Sequence, residues 1–159
     1  MEQASLQAGK PLDKPSLSLH RKFPVAPEKV WRAWTDPQAL SQWFGPGGPG
    51  EPQTVSVADL DLRVGGRYRL VFGGPEGNDH EAAGVYKEVV PHRKLVFTWH
   101  WPRTTPERVS QITILLRAEG GGTDMEFRHE QFFDQAACDG HRRGWTETFV
   151  KLETFLTSS

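Results

Sequence analysis

The stretch Leu95–Trp101, LVFTWHW, carries the heaviest aromatic load of the chain. A strand sends alternate side chains to opposite faces. Leu95, Phe97, Trp99 and Trp101 therefore form one row, and Val96, Thr98 and His100 the other, which is expected to face outward. Such a row can serve as packed core, since each aromatic ring buries ~150–250 Å², or as the wall of a ligand cavity. Trp101, at the strand end, is the member best placed to meet a ligand. A second stretch, TDMEFRHEQFF (123–133), has Met125, Phe127 and His129 on one face and Glu126, Arg128 and Glu130 on the other. His129 thus points with the apolar set and needs a hydrogen-bond partner there. The partner can be a ligand carbonyl, a water, a backbone group or a hydroxyl such as that of Tyr68. A satisfied core histidine is the simpler of the two readings.

Other chemistry finds less support. HEQFF lacks the second histidine of H-E-x-x-H and sits on a strand, which excludes zinc-hydrolase chemistry of that kind. Asp79, His80 and Glu81 are metal-ligating types, but neighbours on a strand point opposite ways. Gly45, Gly47 and Gly50 match G-x-G-x-x-G in spacing, yet the order of strand and helix around them is reversed and two prolines remove N–H groups. Cys138 is the lone cysteine, so no internal disulfide can form. It falls near a helix start, where a thiol can be activated, but no base accompanies it. No G-x-S-x-G elbow occurs. Neither a metal nor a cofactor is expected.

These residues must be positioned by a fold. The 159 residues suffice for one domain with a real core. A formal net charge of −1, with scattered Lys and Arg, offers no basic stripe for nucleic acid. No apolar run reaches the ~20 residues of a membrane span, and the N-terminus has no apolar leader. A cytoplasmic protein without membrane insertion is the expectation. Residues 1–16 lack any hydrophobic period and read as a disordered tail before a single domain, 17–159. LSLHRKF alternates as a strand. Two short helices follow, one with Pro27 at its first position, the other with Asp36 as N-cap before Pro37 and an apolar side of Leu40, Trp43 and Phe44. GPGGPGEP is a loop. From Thr54 six strands alternate with Gly/Pro turns, the pattern of antiparallel neighbours. Among them Tyr68, Leu70 and Phe72 are assigned inward, and Arg67 and Arg69 outward. Tyr86 shares a face with Gly84 and Glu88, and the pattern leaves that face unassigned. In the last segment Trp145, Phe149, Leu152 and Leu156 fall on one helical face. Gly140 and Gly144 weaken its first part, so the regular helix is expected to start between Asp139 and His141. The fold class is α+β: a curved seven-stranded antiparallel sheet wrapped around a long C-terminal helix.

In this order, VAPEKVWRAWTDPQALSQWF, GVYKEVVPHRKLVFTW and GWTETFVKLETFL resemble the helix-grip superfamily. That superfamily includes START lipid-transfer domains, birch-pollen-allergen-like proteins and polyketide cyclases. The resemblance rests on Pro27, Val30, Trp31, the Thr35–Pro37 step, Trp43-Phe44, the Gly84–Glu88 segment and Gly144-Trp145, and spans roughly Leu17–Leu156. It is nearest to the single-domain bacterial branch named for the activator of heat-shock protein 90 ATPase. It implies an apolar cavity between the sheet and the long helix. The residues expected to line it are Trp43, Phe44, Tyr68, Phe97, Trp99, Trp101, Phe127, His129, Trp145 and Phe149. The expected occupant is a small apolar or amphipathic molecule. An enzyme of cyclase, dehydratase or hydrolase type, with His129 as its acid or base, and a co-chaperone-like module are the alternatives. A chaperone partner is doubtful, because the named co-chaperone carries an additional N-terminal domain where this chain shows a short polar tail. A homodimer through the outer sheet face or an edge strand is compatible with a domain of this size.

Overall fold

The computed structural model describes residues 14–45, 55–73 and 79–158. The expected tail therefore lies outside the described residues up to position 13, as does the GPGGPG loop beyond Gly45. Among the described residues the chain order is β1 (Leu17–Phe23), α1 (Pro27–Thr35), α2 (Pro37–Leu40), β2 (Val55–Leu60), β3 (Arg67–Gly73), β4 (Asp79–Val90), β5 (Lys94–Trp101), β6 (Thr105–Glu119), β7 (Gly122–Glu130) and α3 (Gln135–Thr157). The strands form one antiparallel sheet in the order β1-β7-β6-β5-β4-β3-β2. The sheet curves around α3, the helix-grip arrangement that the sequence implies.

Local chemistry explains most boundaries. Pro27 opens α1, where its missing N–H costs nothing. The Asp36 carboxylate accepts the Gln38 N–H at 3.1 Å and caps α2. That helix is a single turn, so Trp43 and Phe44 lie in the turn that follows it and not on its flank. Both rings are still carried inward, Trp43 by the hydrogen bond from its Nε1 to the Ala33 carbonyl (3.0 Å).

Two strand readings change. The β5–β6 hairpin is tighter than PRTTPE suggests, because Trp101 already pairs with Thr105. In contrast, β7 ends at Glu130, where Gln131 takes a φ of 69° and breaks the alternation. Phe132 turns back into the core, whereas Phe133 is exposed under the Arg108 guanidinium. The unassigned face of β4 is also resolved. Ala82, Gly84 and Tyr86 point inward, and a register shift between Tyr86 and Glu88 leaves Glu88 outside. At Gly84 a Cβ would stand 1.9 Å from the Thr98 carbonyl oxygen, so only glycine lets these strands approach.

The last helix starts earlier than its glycines suggest. Asp134 caps it, accepting the Ala137 N–H at 2.8 Å. An N-cap of this type contributes about 1 kcal/mol, which offsets much of one glycine's cost of about 1 kcal/mol. Burial of Cys138 beside Ala137 anchors the same turn. Trp145, Phe149, Leu152 and Leu156 are buried against the sheet, as their spacing requires. The rings of Phe127 and Trp145 meet at 4.8 Å and those of Phe127 and Phe149 at 5.0 Å, which ties β7 to the middle of α3.

Candidate functional site

The inward row of β5 divides between two environments. Leu95 and Phe97 sit over packed core, where a void of about 20 Å³ holds no more than one water. Trp99 reaches both this core and an open cavity, and Trp101 belongs to the cavity alone. The cavity has a volume of about 610 Å³, within the range of small-molecule sites. Its sheet side is built by Phe72 at the end of β3, His80 and Glu81 at the start of β4, and Trp99 and Trp101 at the end of β5. Its helix side is the first half of α3, from Ala136 through Gly140, His141 and Gly144 to Thr148. Phe44 and Gly45 close one end, and Arg103 and Thr104 stand at the rim.

The helix side is open because it lacks side chains. Ala136, Gly140 and Gly144 recur every fourth position, which stacks them on one face. A Cβ at Gly144 would meet nothing within 4 Å, so that position fronts empty space. The rim is charged and internally paired. The Glu81 carboxylate accepts from Arg69 Nε at 2.9 Å and from Arg103 Nε at 3.0 Å. The Arg69 hydrogen bond, opposed by burial and aided by Arg103, holds its carboxyl below the usual range. Lys151, itself buried, donates from Nζ to the Gly45 carbonyl and ties the cavity's end to α3.

His129 sits behind this wall. Its Nδ1 accepts from Trp145 Nε1 at 3.2 Å, which leaves Nε2 as the protonated nitrogen facing Ser110 Oγ at 2.7 Å. The Ser110 hydroxyl then donates to the Trp99 carbonyl at 3.2 Å. This directed chain runs from α3 through β7 and β6 to β5 and ties the Trp145 ring to the backbone at Trp99, two of the three tryptophans that border the cavity. Both ring nitrogens of His129 are engaged by the protein, the arrangement of a satisfied core histidine. Burial first, and the neighbouring His141 second, push its pKa well below the usual imidazole value, so it stays neutral. Tyr68 is likewise spent: its hydroxyl donates to the Thr98 carbonyl at 2.5 Å, and burial raises its pKa.

The expected lining residues thus separate. Phe44, Trp99, Trp101 and Trp145 come together at the cavity. Tyr68 and Phe97 lie over the small void, and Trp43, Phe127, His129 and Phe149 pack behind the wall. Phe72, His141, Gly140 and Gly144 are among the lining residues absent from the expected set. His141 could have been found from spacing, since it precedes Trp145 by four positions on the same helical face. Phe72 shares the inward face already assigned to Tyr68 and Leu70. Cys138 is buried, and burial raises its thiol pKa, the reverse of an activated nucleophile.

Comparison with known proteins agrees with this architecture. A structure of protein CV1439 from Chromobacterium violaceum is 28% identical, with a TM-score of 0.77 over 91% of this chain and 98% of that one. A protein from Rhizobium leguminosarum is 31% identical, with a TM-score of 0.72 over 89% and 93%. NE0264 from Nitrosomonas europaea is 28% identical, with a TM-score of 0.73 over 89% and 93%. No curated protein matches. The model of the family described as Activator of Hsp90 ATPase homolog 1-like protein matches residues 24–157, nearly the whole described fold, and the chain belongs to that family.

Proposed function

We propose that the protein binds a small apolar or amphipathic molecule in the cavity between the sheet and the first half of α3. The observation that carries this reading is an open volume of about 610 Å³ walled by Phe44, Phe72, Trp99, Trp101 and Trp145. Burying an apolar ligand there gains roughly 25 cal/mol per Å² of surface removed from water. The glycine-lined helix supports the same reading. A helix that served packing alone would gain about 0.5–1 kcal/mol from alanine at each of these glycines. The paired charges of Arg69, Glu81 and Arg103 at the rim suit an occupant whose polar end stays near water.

The enzyme reading finds less in the geometry. General acid–base work needs a group within reach of substrate. His129, the candidate from sequence, is enclosed and doubly bonded within the protein. A co-chaperone-like role has no comparable surface feature among the described residues.

Native mass spectrometry of protein purified without denaturation tests the proposal, and an apolar molecule retained in stoichiometric amount is the expected result. Calorimetric titration with naphthalene should also saturate at one site. Trp101→Phe should weaken that binding only modestly, because an aromatic wall remains. An empty protein that takes up no apolar probe would sink the reading.

A further inference from the structure

Buried polar groups in folded proteins almost always have hydrogen-bond partners. Among the described residues three buried side-chain atoms have none: Trp34 Nε1, Trp99 Nε1 and His141 Nε2. Trp34 belongs to the packed core. The other two belong to side chains that form the wall of one cavity. The two rings are neighbours, their centroids 6.3 Å apart in an edge-on arrangement.

Their hydrogen-bonding characters are complementary. An indole nitrogen can only donate. His141 Nδ1 lies 2.8 Å from the Ala137 carbonyl, an acceptor, so the proton must sit on Nδ1. Nε2 of the neutral ring is then an acceptor. Burial pushes the pKa of His141 down, the backbone hydrogen bond only partly opposing it, which favours that neutral form. These two wall residues therefore hold one unspent donor and one unspent acceptor, both shut off from the open cavity as the rings stand, so that a ligand reaches them when the His141 ring turns.

We infer that the ligand carries a hydroxyl on a flat apolar body, as a phenol or naphthol does, and that this hydroxyl accepts from Trp99 Nε1–H while donating to His141 Nε2. This rests on the cavity reading above. The aromatic body then lies against Trp101 and Phe72. An ether satisfies the donor alone, an ammonium the acceptor alone, and a hydrocarbon neither. His141 becomes the specificity-determining residue, while its neighbour His129 holds the wall in place.

Calorimetry with 2-naphthol, 2-methoxynaphthalene and naphthalene, on the full chain and on His141→Phe and His141→Gln, tests the inference. The wild-type chain should bind 2-naphthol about 10- to 100-fold more tightly than naphthalene, with 2-methoxynaphthalene between them. His141→Phe should abolish the preference for 2-naphthol over the methyl ether and leave naphthalene affinity within about threefold. His141→Gln, which keeps an acceptor oxygen, should restore part of it. Circular dichroism establishes that each variant is folded, and the glutamine variant carries the test if the phenylalanine variant is not. Equal affinity for the three probes overturns the hydroxyl assignment but leaves the cavity reading intact. A hydroxyl preference that survives unchanged in the folded variants overturns the role of His141. Failure of every probe to bind the wild-type chain removes the cavity reading and this inference with it.

Discussion

The two halves of α3 belong to one helix and one chain segment, yet they are built for opposite purposes. From Trp145 onward the inward face carries Trp145, Phe149, Leu152 and Leu156, all buried against the sheet. Before Trp145 the cavity-facing positions include Ala136, Gly140 and Gly144, with His141 as the one large side chain among them. The second half has the apolar stripe that stabilises a helix by tertiary packing. The first half gives up both packing and helix propensity, and relies on the Asp134 cap and buried Cys138. The sheet mirrors this division. Leu95, Phe97, Ile112 and Ile114 are buried in the core, whereas Trp99, Trp101 and Phe72 border the cavity across from the first half. One element thus serves as core at one end and as a cavity wall at the other, with Trp145 at the boundary.

The largest expected effect is at that boundary. Trp145→Ala should cost about 3–5 kcal/mol of stability in urea denaturation, since the ring packs on Phe127, Phe149 and Trp99 and its N–H holds His129. A loss below about 1 kcal/mol would mean that the boundary is misplaced. Leu152→Ala, deep in the packed half, should cost about 2–5 kcal/mol and leave naphthalene affinity unchanged. A parallel loss of affinity would show that the halves are not separable.

His129→Leu should cost about 1–3 kcal/mol, because it leaves Trp145 Nε1 without its acceptor and takes from Ser110 Oγ the hydrogen bond it accepts. The same residue should make the fold acid-sensitive. Burial holds the folded pKa of His129 and of His141 below the ordinary value of about 6.5. The unfolded chain therefore binds more protons in that window, and stability rises with pH there. The stabilisation is complete above about pH 6.5 and is lost as pH falls toward the folded values, at no more than about 1.4 kcal/mol per pH unit for each histidine. Denaturation curves between pH 7.5 and 5 should show this slope, reduced by one proton in His129→Leu. A flat profile in the wild-type chain would contradict the burial of both rings.

The smallest expected effect has the opposite sign. Gly144→Ala should raise stability by about 0.5–1 kcal/mol, since its Cβ meets nothing within 4 Å. A fall in stability would mean that the helix at Gly144 is more closely packed than an open cavity allows.

What the sequence discloses follows the same line. The packed half was legible: period-2 rows, a clean helical stripe and two proline-marked helix starts required the sheet, the helix and the inward direction of Phe97, Trp99, Met125 and Phe127. The cavity half was less so. Its defining residues are glycines and an alanine, and small residues register in a sequence only as weak helix. That is why the start of α3 was expected near Asp139–His141, when the Asp134 cap begins it at Gln135. The role of His129 turned on Ser110, nineteen positions away, which reaches it through strand register and not through local spacing. The face of β4 at Tyr86 stays open in the sequence because a bulge between Tyr86 and Glu88 resets the alternation, and no residue type announces it.

The central claim is that the first half of α3 is glycine-lined to leave room for a ligand. Gly144→Leu tests it most directly, measured by calorimetric titration with naphthalene alongside urea denaturation. The account predicts a helix at least as stable as the wild type and naphthalene affinity reduced by about tenfold or more, the branched side chain occupying the space. Wild-type affinity in a folded Gly144→Leu protein would contradict it.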